Sequence, residues 1–345
     1  MLILSSEGAV EHEKAGHPER PSRVTAAMAG VEDLKLGSEL VVVAPRLADP
    51  SELSRVHATS YLDELALFCQ SGGGQFDPDT YATVGSWSAA RRAAGAGLAA
   101  VEALRRHGDG VAFVATRPPG HHALADRPMG FCLLNNVAVT AASLAAAGER
   151  VLIVDWDVHH GNGTQSIFWD DPSVLYVSTH QWPLYPGSGR ATDIGGPAAL
   201  DRTVNVPLPP GATGDVVRRA IEEVAAPVVE AFGPTWVLVS AGFDGHRADP
   251  LADFALTSGD FAALATLVRG FAPRAGRLAL FLEGGYDLGA LRSSVAACLG
   301  ALLGDRPSSE ALSSGGPGAE DVQAALTGRS VALDQARRRA GEGPP

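Results

Sequence analysis

Short runs of Val, Leu and Ile, each closed by Gly, Pro or a polar residue, recur at Leu40 to Ala44, Val111 to Thr116, Val151 to Asp155, Val174 to Thr179, Thr203 to Val206, Trp236 to Ser240 and Leu278 to Leu282. In most of them the apolar residues are consecutive, the pattern of strands covered on both faces rather than of a sheet with one wet side. Between most of them apolar residues return at helical spacing, at Ser86 to His107, Asn135 to Ala147, Asp215 to Phe232, Gly259 to Phe271 and Leu288 to Leu303. Strands alternating with helices predict an α/β fold, a single-domain three-layer α/β/α arrangement with a mainly parallel central sheet. The stretch from Ser86 to His107 is so rich in Ala and Gly that its helix should lie close against that sheet. The domain is expected to span residues 1–305. Residues 306–345, where Ser, Gly and Pro take over, read as a peripheral tail that is helical over Glu320 to Arg339.

Composition narrows the class of protein. A chain of 345 residues that is 46% hydrophobic can bury a large core. Lys plus Arg number 27 and Asp plus Glu 39, a formal charge of -12, which repels nucleic acid phosphates. The triplet Arg337-Arg338-Arg339 therefore reads as a solvated face. No run of about 18 apolar residues exists to span a bilayer, and the apolar opening Met1 to Leu4 is too short, and lacks the basic flank, for a secretory signal. Neither nucleic acid nor membrane is an expected partner. Cys69, Cys132 and Cys298 are isolated and odd in number, which argues against a disulfide framework or a zinc ribbon and for a reducing cytoplasm.

Polar residues able to do chemistry follow four of the apolar runs, at Arg117 to His122, Asp155 to Gly163, Phe243 to Pro250 and Glu283 to Asp287. Open α/β sheets bind ligands beyond the carboxyl ends of their strands, where loops from several strands meet. In an extended segment Asp155, Asp157 and His159 share one side, so two carboxylates and an imidazole can grip a divalent cation there. Asp244 is the leading further ligand, and Trp156 and Val158 read as core. Pro118-Pro119-Gly120 fixes a turn that presents His121 and His122, side chains suited to acid and base work near neutral pH. Gly284-Gly285 lets the backbone swing the Tyr286 phenol toward the crevice as an oxyanion donor.

In order and spacing, His17-Pro18-Glu19-Arg20-Pro21, Arg117 to His122, Gly130-Phe131-Cys132, Asp155 to Gln165, Ser178-Thr179-His180, Asp244 with Asp249-Pro250-Leu251, and Glu283 to Tyr286 resemble the histone deacetylase family. That family includes acetylpolyamine amidohydrolases and acetoin-utilisation-type proteins. The resemblance runs from about His17 to Leu303, and Trp156, Asn162 and Glu283 bring it nearer to the class II and bacterial members. It implies the arginase/deacetylase fold and a zinc-dependent hydrolase of the linear amide in an N-acetylated primary amine, either acetyl-lysine or a small acetylated amine.

Residue by residue, the resemblance implies that Asp157, His159 and Asp244 bind zinc, with ferrous iron compatible with the same donors. His122 is implied as general base and then acid, His121 as its electrostatic partner, Asp155 as the carboxylate behind His121, and Asn162 as the partner of His122. Some members carry Asp where Asn162 stands, and a neutral amide raises the pKa of His122 less. Tyr286 is implied to bind the oxyanion. Gly130, Phe131 and Tyr185 would wall an acyl-amine tunnel, with Leu251 near its mouth, where acetylspermidine-preferring relatives use a glutamate. A structural potassium ion is implied beside Asp155, Asp157, His159, Ser178 and Thr179. Asp77 or Asp79 would hold substrate backbone at the rim, and Arg23 would line a route for released acetate.

Three rivals are weaker. A binuclear ureohydrolase of the arginase type needs a further Asp where this chain has His160 and Gly161. Ser188 lacks the Gly-x-Ser-x-Gly elbow of a serine hydrolase. A non-catalytic acyl-ligand sensor would not need His121, His122 and Tyr286 together. The sequence is compatible with a homo-oligomer, and it does not choose among a protein lysine, a polyamine and another small amine as substrate.

Overall fold

The computed structural model describes residues 1–304 and 310–341. One sheet of eight strands runs through it: β1 Leu2–Glu7, β2 Leu40–Val42, β3 Val111–Thr116, β4 Val151–Asp155, β5 Val174–Gln181, β6 Thr203–Leu208, β7 Trp236–Ala241 and β8 Leu278–Leu282. Their order is β2-β1-β3-β8-β7-β4-β5-β6, and every neighbouring pair is parallel. All seven expected runs are strands of this sheet. The eighth, β1, was read only as a failed signal, because its apolar part stops at Leu4. It becomes a strand by pairing with β2 on one side and β3 on the other.

Helices cover both faces, completing the α/β/α layers. Alternation along β1 sorts the core: Leu2 and Leu4 pack into the cluster with Val24, Val31, Leu264, Leu291 and Val295, while Ile3 joins the cluster of Ala90, Ala94, Leu98, Val137 and Val139. Helix Ser86–His107 buries Ala89, Ala90, Ala93, Ala94, Ala96 and Ala100 completely, the close approach its small residues imply. The expected single helix from Asp215 to Phe232 is instead Gly214–Ala220 and Ala226–Phe232 joined by a π-turn at Ile221–Ala225. Pro227 has no N–H to give the preceding turn, and the wider turn accommodates its ring.

The tail expectation needs correction. Helix Ala319–Arg339 is docked on the domain, with Val322 and Ala325 in the core and Arg329 donating to the Thr203 carbonyl and Asp201. Ahead of it, Ser313 Oγ donates to buried Asp260 at 2.6 Å, and Glu310 accepts from Arg247 at 2.6 Å. A segment of low apolar content is held here by polar bonds that composition does not reveal. The expected boundary at 305–306 lies outside the described residues.

Strands β3, β8, β7 and β4 are consecutive in the sheet, and each is followed by one of the four polar loops. The fold thus brings those loops to one edge.

Candidate active site

Asp155 is the last residue of β4, and beyond it the chain turns instead of running on extended. The simple alternation therefore fails at one position. Asp155 aims away from the donor cluster, accepting from Tyr176 OH at 3.0 Å and lying 3.1 Å from His121 Nδ1. Asp157, His159 and Asp244 remain together, with one donor atom from each within 4.8 Å of the others. His159 Nδ1 is 3.2 Å from Asp157 Oδ1 and 3.0 Å from Asp244 Oδ2. Backbone amides fix the carboxylates: Asp157 Oδ2 accepts from Gly284 N at 2.8 Å and Asp244 Oδ1 from Val158 N at 3.0 Å. Both carboxylates are fully buried, and such negative charge demands a cation. Two carboxylate oxygens and an imidazole nitrogen suit zinc or ferrous iron, so the residues present fit a divalent metal. Trp156 and Val158 are buried in the core, as their side of the segment predicts.

The two histidines differ electrically. Burial opposes a charge on His121, yet Asp157, Asp155 and Glu283 outweigh it and lift its pKa to about 10. Burial, reinforced by the charges of His121 and His159, pushes His122 well below its usual value. Asn162 Nδ2 donates to Met129 Sδ at 3.3 Å, which turns Oδ1 toward His122 Nδ1 at 2.8 Å. Nδ1 of His122 is then the protonated nitrogen, and Nε2 carries the free lone pair. The rings lie 4.0 Å apart between centroids.

The loops carrying these groups are anchored from behind. Arg117, fully buried, donates from Nε and Nη2 to both oxygens of buried Glu19, at 2.8 and 2.7 Å. Asp249 accepts from Tyr286 N at 2.6 Å and Leu251 N at 3.0 Å, so one carboxylate sets both the phenol and the mouth residue. Burial pushes the Tyr286 hydroxyl well above its usual pKa, which keeps it a proton donor. Sequence reading assigned no role to Glu19, Arg117 or Asp249.

A cavity of about 230 Å³ opens over this floor, lined by His121, His122, Gly130, Phe131, His159, Tyr185, Leu251 and Tyr286 among others. Asp79 lines it and Asp77 does not; Asp77 Oδ1 is occupied by the amides of Asp79 and Thr80 at 2.8 and 2.6 Å. Gly130 has φ +55°, and a Cβ there would fall 2.4 Å from the His122 ring, so only glycine lets the wall approach the base. Tyr185 and Leu251 are partly exposed at the mouth. Arg23 is buried, 4.8 Å from the centre of the Tyr286 ring, and does not line this cavity. Ser178 pairs in register with Asp155, its hydroxyl 2.9 Å from His180 Nδ1, and Thr179 is buried next to it. At Gly161, where the ureohydrolase reading wants a carboxylate, a Cβ would meet Asp155 Oδ2 at 2.1 Å.

A three-layer parallel α/β fold whose cavity is lined by His121, His122, His159 and Tyr286, with the carboxylates of Asp157 and Asp244 held against His159, defines a hydrolase of the arginase/deacetylase type. The profile of the histone deacetylase domain matches residues 17–302, and the chain belongs to that family and is a deacetylase. It is 39% identical over 331 residues to chloroplastic histone deacetylase 14 of Arabidopsis thaliana, covering 88% of this chain and 77% of that one. It is 38% identical over 278 residues to a histone deacetylase-like amidohydrolase of Pseudomonas aeruginosa, covering 79% and 73%. The crystal structure of the HD domain of HDA15 superposes with a TM-score of 0.86 at 33% identity, covering 98% of each chain. Among the described residues no helix is long and apolar enough to cross a membrane.

Proposed function

We propose that the chain hydrolyses the amide of an N-acetylated primary amine, with acetyl-lysine or a small acetylated amine as substrate. Asp157, His159 and Asp244 would hold a divalent ion, zinc or ferrous iron. When bound, such an ion polarises the amide carbonyl and makes a water acidic. His122, neutral with its Nε2 lone pair free, would take a proton from the attacking water as its oxygen bonds the amide carbon and return it to the nitrogen as the C–N bond breaks. His121 stays protonated against Asp155 and offsets negative charge that develops beside it. Tyr286 donates its hydroxyl proton in a hydrogen bond to the carbonyl oxygen as that oxygen becomes anionic. Phe131 and Tyr185 would confine the chain of the amine, and Asp79, which lines the cavity, would receive a substrate N–H at the rim. A monovalent cation, potassium, would sit on backbone oxygens around Asp155, Asp157, His159, Ser178 and Thr179. Buried, unpaired Cys69, Cys132 and Cys298 support a reducing compartment such as the cytoplasm.

The observation that carries this reading is that a neutral His122 and the His159 of a three-donor acid and imidazole cluster line one cavity. Leu251 gives the mouth an apolar surface, which favours an acyl-lysine over a polyamine whose distal ammonium wants a carboxylate. The test is a turnover panel of acetyl-lysine peptides, N-acetylputrescine, acetylspermidine and longer acyl-lysines, run with and without chelator. Turnover of acetyl-lysine peptides that disappears on metal removal and returns with zinc is expected. Full activity after verified metal removal would refute the mechanism.

A further inference from the structure

Two backbone N–H groups of the histidine loop are received by a side chain from the adjacent strand. Glu283 follows β8, which lies between β3 and β7. Its Oε2 accepts from Gly120 N at 2.7 Å and His121 N at 3.2 Å, while Oε1 accepts from Ser240 Oγ at 3.2 Å. One carboxylate thus spans from the loop after β3 to the strand that leads to Asp244. It is fully buried, and among the described residues no Arg or Lys forms an ion pair with it. Burying a carboxyl group costs stability even with the His121 imidazolium nearby, so packing alone does not account for it. After Pro118-Pro119 the turn has no backbone acceptor for the N–H groups of Gly120 and His121, and the carboxylate supplies one.

We infer that Glu283 is a positioning residue that fixes the backbone at Gly120 and His121, so that both imidazoles hold their place opposite Asp157, His159 and Asp244. This rests on the function proposed above, although Glu283 touches neither substrate nor metal donor. What matters is the acceptor at that point in space, and two conservative variants separate acceptor from charge. Glu283→Gln keeps an oxygen for Gly120 and His121 while its amide donates to Ser240 Oγ. Glu283→Asp keeps the charge but withdraws the oxygens by about 1.5 Å, one carbon–carbon bond.

The experiment measures kcat and KM of both variants on an acetyl-lysine peptide, and amide hydrogen exchange over residues 117–123 without substrate. The Gln variant is expected within about threefold of wild-type kcat with unchanged exchange, and the Asp variant to lose about a hundredfold in kcat at nearly constant KM, with faster exchange at Gly120 and His121. A folded Gln variant that loses more than about thirtyfold in kcat, or a folded Asp variant equal to wild type, overturns the inference. Should the Asp variant fail to fold, the Gln variant decides alone. A wild-type chain inactive on every amide in the panel sinks the function and not this inference, because the exchange measurement needs no turnover.

Discussion

The Arg23 guanidinium lies 4.8 Å from the centre of the Tyr286 ring, stacked behind the face that the cavity does not see. Its Nε donates to the Gly285 carbonyl at 2.7 Å, Nη2 donates to the Glu283 carbonyl, and Nη1 reaches Glu19 Oε1 at 3.3 Å. Helix Ser22–Asp33 therefore supplies a charged prop for the tyrosine loop. Removing it as Arg23→Met leaves the Gly285 and Glu283 carbonyls without this donor and Glu19 with Arg117 as its remaining arginine, a loss of about 3 kcal/mol in stability. With the loop freed, kcat is expected to fall about tenfold or more while KM changes little. A variant with lowered melting temperature but unchanged kcat would show that Arg23 serves folding alone.

Tyr286→Phe isolates the phenol from its support. The ring still packs against Phe131, 5.9 Å between centroids, so the fold should be unaffected. Loss of one oxyanion donor predicts a fall of about a hundred- to a thousandfold in kcat with KM nearly constant. Equal product formation by the two proteins would remove the oxyanion role.

Asn162→Asp places a carboxylate where a neutral amide now accepts from His122 Nδ1 at 2.8 Å. The negative charge stabilises the imidazolium, so the His122 pKa rises from its burial-lowered value. The base form then requires a higher pH. The acidic limb of the kcat/KM profile is expected to move upward by about one to two pH units. A limb that stays put, or moves down, would assign the essential base elsewhere.

How much of this was open to sequence reading depended on separation along the chain. The donors Asp157 and His159 and the pair His121 and His122 were legible because the chemistry demands particular residue types at adjacent or alternating positions. Arg23 and Gly285 are 262 positions apart and Gly120 and Glu283 are 163 apart, and no local pattern announces that they meet. Asp155 shows the opposite failure. Its alternation with Asp157 was visible, but the extended course ends at Asp155, so the residues after it do not keep to its side, and Asp155 meets His121 instead. Most strands were legible from their apolar runs, whereas β1, whose run stops at Leu4 and which is carried by its neighbours, was not.

Stability should depend on pH through His57. Its Nδ1 donates to the Leu124 carbonyl at 2.9 Å and its Nε2 accepts from Asn135 N at 3.0 Å, so both nitrogens are committed in the neutral form. Burial lowers its pKa to about 4. The unfolded chain takes up the proton near pH 6.5, the ordinary histidine value, and the folded chain does not until about pH 4. The contribution is therefore fully present above pH 6.5 and is lost as pH falls through that window, amounting to about 3 kcal/mol at most. Urea midpoints at pH 7.5 and pH 4.5 for wild type and His57→Gln test this. The difference between the two pH values should shrink in the variant, and an unchanged difference would mean His57 is not a contributor.

The C-terminal helix protects an edge. β6 is the last strand of the sheet, bonded only to β5, and its outward carbonyls are a template for a second chain. Arg329, 5% exposed, donates to one of them at Thr203 and pairs with Asp201, while Val322 and Ala325 bury against the same region. Deleting Ala319–Arg339 opens that edge and exposes apolar surface beside it. Arg329→Met is a finer cut, stripping the Thr203 carbonyl of its donor while keeping the stem that packs over the strand. The deletion is expected to lower the melting temperature and to scatter light on mild heating, with Arg329→Met intermediate. A truncated chain as stable and monodisperse as the full one would mean that β6 needs no cover.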